Sequence, residues 1–160
     1  QLEMGVLDIL CEDARTTPER MAAMLGCTSE QAALAVKRLE EEGVIVGYPA
    51  LINWDNTTTE RVEAIIEVRV PPHRDQGIDA IAAPIYRYEE VRSVYLMSGG
   101  YDLAVTIKGT NLRDVAMFVT DRLAPLGGVL STTTHFILHR YKEKDKMFLK
   151  NTDERSLVSP

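Results

Sequence analysis

The sequence predicts an α+β chain: an N-terminal winged helix-turn-helix followed by a C-terminal ferredoxin-like βαββαβ sandwich. Three observations predict it. Apolar residues recur at helical spacing through the first forty or so positions. At RVEAIIEVRV, residues 61–70, the period changes to alternation. Between the two lies WDNTTTE, residues 54–60, polar, turn-rich and without a period. The expected divisions are therefore residues 1–53, a linker 54–60, a second domain 61–141, and a polar tail 142–160.

In the first part, Leu2, Val6, Leu7 and Leu10 mark a helix over residues 2–13. Thr17 and Pro18 suit the N-cap and first turn of a second helix, and Gly26 suits its end. Thr28 and Gln31 form a T-x-x-Q capping box for a third helix, which Gly43 closes. Its inward stripe is expected to be Ala32, Ala33, Val36 and Leu39. VIVGYPALIN then predicts two short strands around Gly47–Pro49, the wing.

In the second part, Val62, Ala64, Ile66, Val68 and Val70 face one way, while Arg61, Glu63, Glu67 and Arg69 face the other. Ile78, Ile81, Ala82 and Ile85 predict a short helix that kinks or ends near Pro84. VRSVYLMS and DLAVTIKG read as two strands joined through Gly99–Gly100. Leu112, Val115, Ala116, Val119 and Leu123 mark another amphipathic helix, and VLSTTTHFILHR a long last strand.

Composition bounds the function. Of 160 residues, 45% are hydrophobic and 26% charged, which excludes a disordered chain. No apolar run approaches the ~20 residues needed to span a bilayer. The opening QLEMGVLDIL has no basic segment or cleavage site of a secretory signal. Cys11 and Cys27 are expected as buried free thiols, suited to a reducing cytoplasm. His135 and His139 stand four residues apart on a strand, roughly 13 Å, too far to share a metal. They and His73 are expected on the surface or a sheet face. No HExxH, P-loop or GxSxG motif occurs. The chain is therefore expected to be no enzyme and to carry no cofactor, metal or catalytic residue.

A winged helix-turn-helix presents its third helix to the major groove of double-stranded DNA. Residues Thr28, Ser29, Glu30, Gln31, Leu34, Lys37 and Arg38 are the candidates for that contact. Gln can pair with adenine, Glu can accept from cytosine, and an exposed Leu can touch a thymine methyl. A small helical bundle that binds protein is the other reading of the same pattern. The charge is adverse to DNA. Residues 1–56 hold ten acids against four bases, so the whole net charge of −6 lies there. That opposes non-specific attraction to phosphate.

At this point the sequence resembles the Lrp/AsnC family of feast/famine transcriptional regulators over nearly its whole length. VLDILCEDAR (6–15) looks like the family's I-L-x-x-L-x-x-D-A-R, and RLEEEGVI (38–45) like its R-L-E-x-x-G-V-I. SGGYDLAV (98–105) is similar to its G-x-Y/F-D-hydrophobic motif, and TTT (132–134) to its T-x-T. The resemblance implies a cytoplasmic regulator, dimeric through its C-terminal sheets, often assembling to an octamer. A small effector, usually an amino acid, would bind between dimers. Its contacts would fall on Gly99, Gly100, Tyr101, Asp102, Thr132 and Thr134.

The chemistry of those residues suits a zwitterion. The glycines let a ligand approach the backbone, whose amides can hold a carboxylate. Asp102 can meet an ammonium, and Tyr101 can wall the pocket. Thr132 and Thr134 place two hydroxyls on one strand face, roughly 7 Å apart. By residue type alone, Gly99–Gly100 reads equally well as a hairpin turn, and Asp102 as its cap. Sirohaem decarboxylases also look like Lrp/AsnC proteins, but are rich in His and Asn-Leu-Trp where this chain has SGGYDLAV. A further alternative is an amino-acid-sensing oligomeric partner with weak or lost DNA binding.

Overall fold

The computed structural model describes residues 1–72 and 77–149, so His73 and the end of the tail lie outside the described residues. The chain divides into two compact units, Gln1–Ile52 and Asn53–Pro160.

The first unit is a three-helix bundle: α1 (Leu2–Glu12), α2 (Pro18–Leu25) and α3 (Ser29–Glu41). Local rules set its boundaries. The Thr17 side chain accepts from Arg20 N, Pro18 occupies the first helical position, and Gly26 ends α2 at φ 68°. At the start of α3 the capping box is complete in both directions: Gln31 N donates to Thr28 Oγ1 at 3.1 Å, and Thr28 N donates to Gln31 Oε1 at 3.0 Å. Val6, Ile9, Met21, Ala32, Ala35 and Leu39 form the core.

Three expectations need correction here. The inward stripe of α3 is Ala32, Ala35 and Leu39, and Ala33 is exposed. With Ala32 and Leu39 inside, the 3.6-residue period brings Ala35 to their face and turns Ala33 about 100° away. Cys11 is exposed, and only Cys27 packs partly against the core. The segment 44–53, expected to pair as two wing strands, contains no strand. Pro49 lacks a donor, and an isolated two-stranded ribbon is marginal in any case. The segment is held instead by Ile45 against the core and by Tyr48, whose hydroxyl donates to Glu40 Oε1 at 2.6 Å.

In the second unit, β1 (Val62–Arg69), β2 (Val91–Leu96), β3 (Leu103–Gly109) and β4 (Ser131–Phe136) form one antiparallel sheet in the order β2-β3-β1-β4. The helices α4 (Ile78–Tyr86) and α5 (Leu112–Phe118) supply the crossovers. Ala64, Ile66 and Val68 of β1, with Leu103, Val105 and Ile107 of β3, pack on Ile81, Ile85, Val115 and Phe118. α4 runs two residues beyond Pro84, and Leu112 and Ala116 of α5 face outward. A π-helical turn, Val119–Leu123, extends α5 and keeps Val119 and Leu123 in the core.

β4 is shorter than the sequence suggests. Its ladder to β1 ends at the Ala64–Phe136 pair and the bond from Ile137 N to Glu63 O, and Leu138 beyond it is 94% exposed. The segment expected as a polar tail starts with a small hairpin, β5 (Lys142–Glu143) and β6 (Lys146–Met147), after which Phe148 is buried. No helix among the described residues is long and apolar enough to cross a membrane.

Candidate functional site

Two sets of residues have the chemistry of a site, one in each unit. In the first unit the buried stripe of α3 fixes which residues point away. Glu30, Ala33, Leu34, Lys37 and Glu41 lie opposite it at spacings of three and four. Of the expected contacts, Glu30, Leu34 and Lys37 therefore share the outermost stripe, with Leu34 59% exposed. Ala33, expected inside, joins them. Gln31, Leu34 and Arg38 flank a groove of about 270 Å³ against the start of α1, lined also by Leu2 and Glu3. Thr28 and Gln31 spend their oxygens on the capping box, which leaves the Gln31 amide nitrogen as a donor. The Glu30 carboxyl lies below its ordinary pKa, held there chiefly by a backbone hydrogen bond and then by Thr28.

Both bases of α3 are already paired. Lys37 Nζ lies 3.7 Å from Glu41 Oε1. Arg38 reaches Glu3 of α1 at 3.4 Å and Glu42 at 3.8 Å. The sequence signals a shortage of positive charge, but not that the bases present are each engaged by a carboxylate.

In the second unit, Gly99, Gly100, Tyr101 and Asp102 form the turn from β2 to β3. Gly99 sits at φ 145°, a conformation that L side chains rarely adopt, and a Cβ on either glycine would meet nothing within 4 Å. Among the described residues, the surroundings of both glycines are thus open. Asp102 is tied on three sides: its N donates to Val68 O at 3.0 Å, its O accepts from Met97 N at 2.8 Å, and its Oδ2 accepts from Val70 N at 2.8 Å. Its side chain thus ties the turn to the end of β1 instead of capping the turn itself, and among the described residues its other carboxylate oxygen has no hydrogen bond.

Thr132 and Thr134 pair with Val68 and Ile66, and so stand on the helix-side face of β4, each half-buried. Val68 pairs with Leu103 on its other side. The glycine turn and the two threonines are therefore at one end of the sheet, but β1 runs between them. Two strand spacings put the sets on the order of 10 Å apart. Within one chain they do not close on a common ligand.

A third cluster escapes sequence reasoning. Glu63 of β1 is only 9% exposed, although its face of the strand reads as solvent-facing. Its Oε1 accepts from Arg61 Nε at 2.9 Å, its Oε2 pairs with Arg140, and the Arg61 guanidinium lies 4.5 Å from the Trp54 ring centroid. Arg61, two residues away on the same strand face, was the one available signal. His135 lies 3.4 Å from Glu67, and His139 lies 3.6 Å from Asp55 beyond the end of β4. No grouping of three or more His, Cys, Asp or Glu that could hold a metal occurs among the described residues.

Residues 63–147 match the family profile described as the Lrp/AsnC ligand binding domain. Residues 1–46 match the one described as winged helix-turn-helix DNA-binding. The chain is 46% identical over 160 residues to the HTH-type transcriptional regulator YugG of Bacillus subtilis, covering 99% of this chain and 96% of the relative. A solved transcriptional regulator from Neisseria meningitidis in complex with L-Met superposes with a TM-score of 0.72 at 23% identity, over 89% of this chain and 92% of that one. The feast or famine regulatory protein of M. tuberculosis complexed with L-methionine gives 0.74 at 23% identity, over 92% and 97%. These two likenesses establish a shared fold.

Proposed function

This chain belongs to the Lrp/AsnC family of transcriptional regulators, and we propose that it is a cytoplasmic, sequence-specific DNA-binding regulator controlled by a small zwitterion, an amino acid. One observation carries the DNA reading: α3 presents Glu30, Ala33, Leu34 and Lys37 outward above a completed capping box. A rigidly capped helix N-terminus with exposed acceptor, apolar and cationic groups is suited to the major groove. Thr28, Ser29 and Gln31 lie at that N-terminus, and Arg38 lies in the last turn of the same helix.

The effector reading rests on Gly99, Gly100, Tyr101, Asp102, Thr132 and Thr134. Their separation across β1 favours a ligand completed by another subunit. The sheet face opposite the helices supports a homodimer, since Ile65 and Tyr95 stand exposed there, Tyr95 at 60%. Assembly of dimers to an octamer would add contacts with DNA through effective concentration, offsetting few phosphate contacts per reading head.

A second reading is favoured by the ion pairs of Lys37 and Arg38: a sensing partner that binds amino acid but little DNA. Selection of duplexes from a random DNA pool by the purified protein separates the two. The regulator enriches a defined, two-fold-related sequence, and Leu34→Ala or Glu30→Ala changes its preferred bases. A pool left unenriched at low salt would remove the DNA reading.

A further inference from the structure

Helix α3 breaks a local rule. Glu40, Glu41 and Glu42 crowd its C-terminus, where the helix dipole favours cations. Lys37–Glu41 and Arg38–Glu42 are i,i+4 pairs with the base on the N-terminal side, the weaker orientation. These acids therefore do little for the helix. Glu40 has its own partner in the Tyr48 hydroxyl. What Glu41 and Glu42 do is engage the bases of α3, and Glu3 joins them from α1 across the groove beside Leu34.

We propose that Glu3, Glu41 and Glu42 limit the affinity of the DNA-reading face, holding Lys37 and Arg38 in intramolecular ion pairs that phosphate has to displace. The proposal deepens the DNA reading and rests on it. All three pairs are solvent-exposed, with side chains 40–68% accessible, so each opens readily. Their effect lies in competition. A duplex that offers only phosphates exchanges one anionic partner for another and gains little. A duplex that also meets Glu30, Leu34 and the Gln31 amide gains base contacts on top of the exchange. The acids thus subtract from the sequence-independent part of binding and leave the base contacts as they are.

The test uses the full chain with Glu3→Gln, Glu41→Gln and Glu42→Gln together, and Glu3→Gln alone. The probes are a duplex enriched by the wild type from a random pool and a shuffled duplex of equal composition. For the triple variant, affinity for the shuffled duplex should rise roughly tenfold at low salt, and log K should fall more steeply with log salt by about two, one for each freed base. Affinity for the selected duplex should rise by a similar factor, so that the two duplexes shift together. Glu3→Gln, which frees Arg38 from α1 only, should fall between. The thermal midpoint of the triple variant should change little, because removing acid from the C-terminus of α3 offsets the loss of Glu3 from the first turn of α1. Wild-type affinity and salt slope in the triple variant, with the selected duplex still bound, would overturn the proposal and spare the DNA reading. A wild type that enriches no duplex would overturn both.

Discussion

Asp102 Oδ2 accepts a hydrogen bond from the Val70 amide at 2.8 Å, so the carboxylate nearest the glycine turn also secures the end of β1. The structural and binding roles can be separated. Asp102→Ala leaves the half-buried Val70 amide without its partner and should cost about 1–3 kcal/mol in denaturant unfolding. Asp102→Asn keeps an acceptor for that amide and should cost less. It removes the charge for an ammonium, so thermal stabilisation by the cognate amino acid should disappear in both variants. Retained stabilisation in Asp102→Asn would take the carboxylate out of the effector site.

The capping box predicts a local effect in the first unit. Thr28→Ala removes the acceptor for Gln31 N and should lower stability by about 1 kcal/mol. Thermal melting followed by circular dichroism measures it, with Thr28→Ser expected to restore most of the loss.

Tyr48 should titrate late. Its hydrogen bond to Glu40, then burial and the Glu40 charge, push its pKa up to about 12. A pKa raised in the folded state favours the protonated phenol there. That contribution is whole below the unfolded value near 10 and is lost as pH rises towards 12. Tyrosinate absorbance should show one late-titrating tyrosine that Tyr48→Phe abolishes. An unchanged titration in that variant would remove the Tyr48–Glu40 bond from the account.

The Glu63 cluster predicts an asymmetric mutational response. Arg140→Ala leaves the buried carboxylate with Arg61 alone and should cost roughly 2–3 kcal/mol, less than a fully orphaned buried charge. Adding Glu63→Gln should recover part of the loss, a coupling that urea unfolding of the single and double variants measures.

What was legible in the sequence was what local chemistry determines. Thr17, Pro18, Gly26, Thr28 and Gln31 delimit α2 and α3 through hydrogen bonds spanning three or four residues. The alternation of β1 identifies its core face. The phase of α3 was harder, because Ala33 and Ala35 are the same residue and hydropathy cannot choose between them. The hairpin at 142–147 turns on Lys144 and Asp145, both at positive φ, without the glycine or asparagine that usually marks such a turn. The Glu63–Arg140 pair joins opposite ends of the second unit and leaves no local trace. The candidate effector residues came from a resemblance. Nothing in one chain's pattern could say that β1 would stand between the glycine turn and the threonines.

The most direct test of effector-controlled DNA binding is fluorescence anisotropy of the full chain on DNA from upstream of its own gene. It is run at low and moderate salt, with and without a pool of the twenty amino acids. The account predicts saturable, competitor-resistant binding whose affinity the pool shifts, with the active amino acid found by subdividing the pool. Binding that no amino acid alters would contradict the effector site at Gly99–Asp102 and Thr132–Thr134. A folded, oligomeric protein that binds no DNA even at low salt would contradict the regulator itself.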